Sequence, residues 1–310
     1  MRLAVIDCGT NTFNLLIIEA DPNLKYSKIY NDRISVKLGQ GSINQGFIDI
    51  EPYNRGIEAL KKFKTDINNY EVTKVLGFAT SAIRDAKNGV QFINQIKSET
   101  SIEITIIDGE REAELIYLGN KEAVQLTHNT SLIMDIGGGS NEFILANNNG
   151  LLWKQSFPIG AARMLEKFKP SDPITGAELS AINNYLAEEL APLIVATKKY
   201  KPLELVGSSG AFDSVVEIIA DNFNGEPISD SKTCYEVDME NYKSVSKLIT
   251  NSSLIERKKI KGLVAMRLDM IVISFIMIDF ILNSLNLSRM RVSSYSLKEG
   301  ALIDYIKSSK

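Results

Sequence analysis

Two short segments of this 310-residue chain combine acidic, hydroxyl and glycine residues in a way that suits phosphate chemistry. The first segment is Asp7, Cys8, Gly9, Thr10, Asn11 and Thr12, and the second is Asp135, Ile136, Gly137, Gly138, Gly139, Ser140, Asn141 and Glu142. Each follows one apolar stretch and precedes another, which predicts a strand, a tight turn and a second strand. Backbone N–H groups of such a turn can converge on an anion, and an aspartate at the strand end can hold a metal ion against it.

The repetition of this device carries more weight than either copy. A single glycine-rich hairpin is usually only a turn, and its aspartate can simply bond its own backbone. The run from Gly137 to Gly139 is harder to explain structurally, because three glycines weaken a strand unless a close approach requires them. Two such turns, one in each half of the chain, predict two related lobes that face each other across a phosphate.

The composition sets limits on other kinds of site. The chain is 44% apolar and 24% charged with a net charge of −3, which is typical of a globular protein and argues against nucleic acid as a partner. Cys8 and Cys234 are its only cysteines and His128 is its only histidine. We therefore expect neither a disulfide framework nor a zinc site built from cysteine and histidine.

We expect a cytoplasmic protein with no membrane partner. No signal peptide is evident, because the first apolar residues run directly into an acidic turn. The most apolar stretch, residues 270–278, is too short to span a bilayer. The surrounding segment 263–287 fits a helix buried in the core or in a homodimer interface equally well.

The elements that must position these turns follow an α/β pattern. In the first half, strands are predicted over residues 3–6, 13–19, 29–38, 72–79 and 103–107, with helices over 52–68, 88–97 and 110–119. In the second half, strands are predicted over 132–135, 143–146, 151–158, 203–206 and 291–293, with helices over 176–199, 263–287 and 298–306. We therefore predict an N-terminal lobe over residues 1–122 and a C-terminal lobe over 123–310.

Several motifs in order along the chain resemble the exopolyphosphatase and guanosine pentaphosphate phosphohydrolase (Ppx/GppA) family. Besides the two turns, they are residues 80–88, 109–113, 158–160, 207–210 and 298–300. That family is part of the sugar kinase, heat-shock chaperone and actin superfamily. The resemblance implies an α/β fold of two ribonuclease H-like (actin-like ATPase) lobes with a central cleft.

The resemblance also implies roles for individual residues. It implies a Mg²⁺-dependent phosphohydrolase in which Glu112 orients or deprotonates the attacking water and Arg84 counters charge on the transferred group. The implied metal ligands are Asp7, Asp135 and Glu142. The implied phosphate ligands are Gly9, Thr10, Asn11, Thr12, Gly137, Gly138, Gly139, Ser140, Gly207, Ser208 and Ser209.

Simpler interpretations of the two catalytic candidates remain open from the residues alone. Glu112 lies in the first turn of a predicted helix, where acidic residues are common for dipole reasons. Arg84 fits a surface ion pair with Asp85 equally well. The chain also departs from the family pattern at Ser294, where aspartate is common, and at Lys298, where arginine is common.

The implied substrate is inorganic polyphosphate, with guanosine pentaphosphate as the alternative. Both present a terminal phosphate on an anhydride, so the residues do not separate them. Two other functions rank lower. A small-molecule kinase would use residues 207–210 for adenosine, and a polyphosphate or nucleotide sensor would not need the acid at position 112.

Overall fold

The computed structural model describes residues 1–21 and 25–308. Within these residues the chain forms two mixed sheets, one of five strands and one of six. The strands of the first sheet are β1 (Arg2–Cys8), β2 (Thr12–Ala20), β3 (Tyr26–Ser35), β4 (Lys74–Ala79) and β5 (Ile104–Ile106). Those of the second are β6 (Ser131–Ile136), β7 (Asn141–Asn147), β8 (Gly150–Phe157), β9 (Glu204–Ser208), β10 (Cys234–Val237) and β11 (Met290–Ser293).

The helices lie between and around these sheets. Those of the first half are α1 (Ile50–Asn69), α2 (Ser81–Arg84), α3 (Gly89–Thr100) and α4 (Gly109–Ala123). Those of the second half are α5 (Ala161–Phe168), α6 (Gly176–Glu189), α7 (Ala191–Tyr200), α8 (Gly210–Phe223), α9 (Met239–Asn251), α10 (Leu254–Arg257), α11 (Ile271–Ser284) and α12 (Leu297–Ser308). Short 3-10 turns occupy Ile43–Gln45 and Ala265–Arg267.

The two sheets repeat one topology. The first has the order β3-β2-β1-β4-β5, in which β1 to β3 form an antiparallel meander and β4 and β5 run parallel to β1. The second contains the same order as β8-β7-β6-β9-β11, with β10 added antiparallel at its edge. The predicted α/β class with two related sheets is confirmed.

The sheets are buried on both faces, and this decides where polar strand residues can go. Side chains alternate along β1, so Ala4 and Ile6 enter a core beneath α1 and α3 whereas Leu3 and Val5 enter a second core. That second core also contains Ile133 of β6 and Leu302 of α12. Both halves of the chain therefore contribute residues to this second core.

Some predicted elements differ from those observed. The predicted helix 176–199 is two helices that meet at Leu190, with Pro192 in the first turn of α7, where a missing N–H costs no hydrogen bond. The predicted helix 263–287 is shorter in the structure, where α11 begins at Ile271. The segment before it makes a 3-10 turn, from which Arg267 contacts α8. Strand β10 and helix α9 have no counterpart in the predicted elements.

Cys8 is fully buried in the core beneath α1, where a small apolar group is expected. None of the helices in the described ranges, 1–21 and 25–308, is long and apolar enough to cross a membrane.

Candidate active site

Four polar side chains extend the interior faces of the two hairpins. Asp7 pairs in register with Asn14, and Asp135 pairs with Glu142. Asp7 follows Leu3 and Val5 at a spacing of two residues, and Asp135 follows Ile133, so both carboxylates lie on the faces that form the shared core. The strand alternation thus brings the two aspartates towards each other from opposite halves of the chain.

The two predicted phosphate turns have the same local geometry. The Gly9 N–H donates to the Thr12 carbonyl at 3.2 Å, and the Gly137 N–H donates to the Ser140 carbonyl at 3.0 Å. A Cβ atom would lie 2.9 Å from the Thr12 oxygen at Gly9 and 2.6 Å from the Ser140 oxygen at Gly137. Each turn therefore requires a glycine two residues after its aspartate.

The turns also contact each other, which explains the three consecutive glycines. A Cβ atom on Gly138 would lie 2.9 Å from the Thr10 Cβ, and one on Gly139 would lie 2.6 Å from the Thr10 hydroxyl and 2.5 Å from the Ser81 hydroxyl. Real Cβ atoms do not approach so closely, so side chains here would push the two halves apart. The glycine run is a consequence of this close approach.

A cavity between the halves, here called the central cavity, is lined by both turns. From the predicted site it is lined by Asp7, Gly9, Thr10, Asn11, Thr12, Glu112, Asp135, Gly137, Gly138, Gly139, Ser140 and Ser209. Thr80, Ser81 and Asn14 lie in the same wall. The structure therefore brings most of the predicted site residues into one place.

Glu112 reaches the cavity from the first turn of α4. The Asp108 side chain caps this helix by accepting a hydrogen bond from the Arg111 N–H at 2.7 Å. The Glu112 side chain is 9% exposed, and its Oε2 accepts a hydrogen bond of 2.9 Å from Nη1 of Arg84. Dipole complementarity alone would leave this carboxylate in solvent, whereas here it is buried against a cation.

Arg84 contacts Asp85, as one interpretation of the sequence suggested, and also contacts Glu112, which the sequence did not suggest. Its Nη1 donates to Glu112 and, at 3.1 Å, to the Ile107 carbonyl. Its Nε lies 3.5 Å from Oδ1 of Asp85. The guanidinium stands behind Glu112 and is not part of the cavity wall in the described residues.

Burial raises the pKa values of four acidic groups at or beside the cavity: Asp7, Glu112, Asp135 and Glu142. Desolvation raises the pKa of Asp7 and of Asp135 to about 6 and that of Glu142 to about 7. Desolvation and the nearby Glu142 charge raise the pKa of Glu112 well above its usual range, although Arg84 opposes this. Carboxylates concentrated in a buried cleft in this way are typical of a functional site that binds a cation or transfers protons.

Asp7 and Asp135 could supply the carboxylate ligands of a Mg²⁺ ion whose remaining ligands would come from phosphate and water. In phosphate-processing sites this ion is commonly held by one or two carboxylates, with phosphate oxygens and water filling the other positions. Asp7 and Asp135 line the cavity from opposite sides and match that donor set. Glu142 lies behind the turn, where its Oε1 accepts a hydrogen bond of 2.6 Å from Ser156. In residues 1–21 and 25–308 no three histidine, cysteine or acidic side chains form a ready metal cluster, and the metal roles stay predictions.

The segment 207–210 divides into two environments. Ser209 lines the cavity as the residue before α8, and its hydroxyl donates to the Ile136 carbonyl at 3.1 Å. Gly207 and Ser208 are buried in β9 outside the cavity wall, and the Ser208 hydroxyl donates to the Tyr295 carbonyl at 3.1 Å. Their predicted phosphate contacts would need a change in this strand.

Basic residues of the cavity wall were not among the predicted site residues. Arg33, Arg267 and Lys298 all line the cavity. Arg267 donates to Oδ2 of Asp213 at 3.1 Å, and Lys298 lies 2.9 Å from Glu299. The family motif drew attention to Lys298, whereas no local pattern marks Arg33 or Arg267.

Comparison with known proteins relates this chain to phosphatases. The profile of the Ppx/GppA phosphatase family matches residues 16–309. Exopolyphosphatase 1 of Mycobacterium tuberculosis is 24% identical over 306 residues, which cover 98% of this chain and 88% of that protein. A bifunctional 3-dehydroquinate synthase/phosphatase of Fusobacterium nucleatum is 31% identical over 98% of this chain and 46% of its own length. The crystal structure of an exopolyphosphatase from Cytophaga hutchinsonii superposes with a TM-score of 0.96 at 37% identity, covering 100% of this chain and 99% of that one.

Proposed function

The chain belongs to the Ppx/GppA phosphatase family, and from this premise we propose that it hydrolyses the terminal phosphoanhydride of inorganic polyphosphate. The observation that carries the proposal is the position of Glu112, a buried carboxylate that lines the same cavity as both phosphate turns. A binding module has no need of a buried base beside its anion site. Relatives named exopolyphosphatase support polyphosphate as the substrate.

The two turns would bind the terminal phosphoryl group. Both turns line one cavity, where their unbonded backbone N–H groups and the hydroxyls of Thr10, Thr12 and Ser140 would donate to an anion. Preorganised donors stabilise the charge that develops on phosphate oxygens during phosphoryl transfer. Because the turns come from opposite halves, both must be in place to enclose the group.

Glu112 would then act as the general base. Burial raises the pKa of this carboxylate, which makes its ionised form a stronger base than an ordinary glutamate. Arg84 fixes the direction of this carboxylate and leaves the other oxygen, Oε1, for the water. We propose that Asp7 and Asp135 hold a Mg²⁺ ion, which would neutralise phosphate oxygens when bound.

The test is phosphate release from a matched panel of substrates. The wild-type protein with Mg²⁺ is assayed on tripolyphosphate, on longer polyphosphates, on guanosine pentaphosphate and on ATP, with E112Q purified in parallel as the background control. The proposal predicts the highest kcat/KM on polyphosphate. A higher kcat/KM on guanosine pentaphosphate would replace the substrate, and no phosphate release from any of them would contradict a phosphohydrolase.

A further inference from the structure

Arg163, at the start of α5, connects the second phosphate turn to the half of the chain that carries Arg84. Its Nε donates to the Gly139 carbonyl at 2.9 Å, and its Nη2 donates to Oδ2 of Asp85 at 2.6 Å. The same nitrogen lies 3.3 Å from the Ser81 hydroxyl, and Nη1 lies 3.4 Å from the Ile43 carbonyl. One side chain therefore contacts the turn of the second half and three residues of the first half.

The backbone before Arg163 fixes the same turn. The N–H groups of Ala161 and Ala162 donate to the carbonyls of Gly137 and Gly138, both at 2.9 Å. The Arg163 N–H donates to the Gly138 carbonyl at 3.1 Å. The Gly137 N–H is bonded to the Ser140 carbonyl, so the N–H groups of Gly138 and Gly139 are the ones that this turn can offer to an anion.

The contacts of Asp85 extend this connection to the proposed base. Oδ2 of Asp85 accepts from Arg163, and its Oδ1 lies 3.5 Å from Nε of Arg84. Nη1 of Arg84 in turn donates to Glu112. A continuous series of polar contacts thus runs from the Gly139 carbonyl through Arg163, Asp85 and Arg84 to the Glu112 carboxylate.

We propose that Arg163 is a positioning residue that sets the second phosphate turn and the Arg84–Glu112 pair in one relative geometry. The proposal rests on the proposed function, because it assigns Glu112 as the base and the turns as the phosphate site. Arg163 is absent from the cavity wall among the described residues, so it acts through Asp85 and Gly139. Arginine suits this task, since its planar fork bonds a carbonyl and a carboxylate simultaneously, which a lysine ammonium cannot reproduce in the same geometry.

The kinetic test uses tripolyphosphate with wild type, R163A, R163K, D85N and the double variant R163A/D85N. We expect R163A and D85N each to lower kcat about tenfold or more with less than a threefold change in KM, because a displacement of the base affects the chemical step more than binding. We expect R163K to recover part of kcat. The double variant should be no slower than the slower single variant, because both substitutions break the same series of contacts.

A matched control breaks another contact between the halves. Asp269 lies 2.6 Å from Nζ of Lys37, and neither side chain reaches Asp85 or Gly139. D269N should therefore leave kcat within twofold of wild type. An equal loss in D269N, independent effects of R163A and D85N, or a loss that appears only in KM would overturn the proposal.

A measurement without substrate separates this proposal from the proposed function. Amide hydrogen exchange at Ala161 and Ala162 reports the bonds between α5 and the turn, and thermal unfolding reports whether the variants fold. R163A should exchange faster at these two amides and retain a cooperative unfolding transition. Unchanged exchange would contradict the proposal that Arg163 holds the second phosphate turn in place. If wild type releases no phosphate from any substrate, the proposed function fails, and the exchange rates still decide whether Arg163 holds the turn.

Discussion

The guanidinium of Arg84 donates a hydrogen bond of 2.9 Å to the carboxylate of Glu112, although the two residues lie 28 positions apart and on different helices. Glu112 lines the same cavity as both phosphate turns, and Arg84 stands behind it. Arg84 favours the ionised form of Glu112 against the effect of burial and also directs its carboxylate, and a general base needs both. The first two predictions follow from this contact.

We expect E112Q to lower kcat by about 100-fold or more while leaving the affinity for tripolyphosphate within a few-fold of wild type. The amide keeps the size of the side chain and removes its ability to accept a proton. The matched control is E110Q, since Glu110 lies in the same first turn of α4 and is exposed. Phosphate release at the wild-type rate by E112Q would exclude Glu112 as the base.

We expect R84A to move the acidic limb of the kcat/KM profile to higher pH. Arg84 favours the charged form of Glu112, so its removal raises the pKa of that carboxylate further and a higher pH is needed to ionise the base. R84K should shift the limb less, because an ammonium retains the charge and loses the planar geometry. A profile that falls in height without moving along the pH axis would assign Arg84 to a role other than control of Glu112.

Mg²⁺ should stabilise the fold in a pH-dependent way. Burial raises the pKa of Asp7 and Asp135 to about 6, so the folded protein binds protons more tightly than the unfolded chain does. Without a cation, the stability of the fold therefore falls as the pH rises from the pKa of an aspartate in the unfolded chain, about 4, through the folded pKa of about 6. Above pH 6 the stability stays at the lower level. A cation held by these carboxylates offsets this cost, so we expect Mg²⁺ to raise Tm at pH 8 and to have little effect at pH 5.

Thermal unfolding with and without Mg²⁺ checks this expectation in wild type, D7N, D135N and D230N. The first two substitutions remove a proposed ligand and should reduce the Tm shift. Asp230 is an exposed aspartate and serves as the control that keeps the shift. An equal Mg²⁺ shift at both pH values, or a full shift in D7N, would contradict a cation at this position.

The close approach of the two turns predicts a different result for two glycine substitutions. G139A places a methyl group 2.5 Å from the Ser81 hydroxyl, so we expect a large loss of phosphate release with retained folding. G176A is the control, because a Cβ atom at the first residue of α6 meets nothing within 4 Å. Wild-type activity in G139A would show that the turns can separate without consequence.

Glu204 should contribute to stability in a manner that disappears in acid. Its carboxylate is buried and accepts hydrogen bonds from Arg291 and, at 2.6 Å, from Ser131. Although burial opposes it, these donors lower the pKa of Glu204. A lowered folded pKa gives stability that is present above the unfolded value of about 4.3 and is lost as pH falls.

We therefore expect E204Q to lower the unfolding free energy at pH 7 by about 3 kcal/mol, since Arg291 would remain buried without its counter-charge. Urea unfolding at pH 7 and at pH 3.5 measures the difference, which should shrink at the lower pH. E236Q is the control, because Glu236 pairs with Arg289 at the surface, where ion pairs contribute little. A difference between E204Q and wild type that is independent of pH would assign the loss to packing instead.

The phosphate turns were predictable from the sequence because their chemistry is local. Aspartate, glycine and hydroxyl residues within eight positions determine both the hairpin and its donors, and the shared Gly9 and Gly137 geometry agrees with that. The strand pattern of each half was predictable for the same reason, since β1 and β6 are short continuous apolar runs that end in an aspartate and a turn.

Contacts between distant segments were not predictable in this way. The partners of Arg84 lie one residue and 28 residues away. The sequence suggested the neighbouring Asp85 and gave no sign of the contact with Glu112, whereas the structure contains both. Arg163 and Arg267 belong to segments with no distinctive local pattern. Their importance arises from packing against the other half or against α8, which only the fold defines.

The position of α12 has a consequence for how the protein folds. This last helix packs against α4, which carries Glu112, and its Leu302 and Ile306 enter the core that also contains Leu3 of β1. The face of β1 that enters this core is therefore covered by α4 and also by a helix that is distant in sequence, and contacts between such distant segments form slowly. Removal of residues 297–308 should therefore expose part of this core, including the face of α4 that lies against α12, and should promote aggregation during folding.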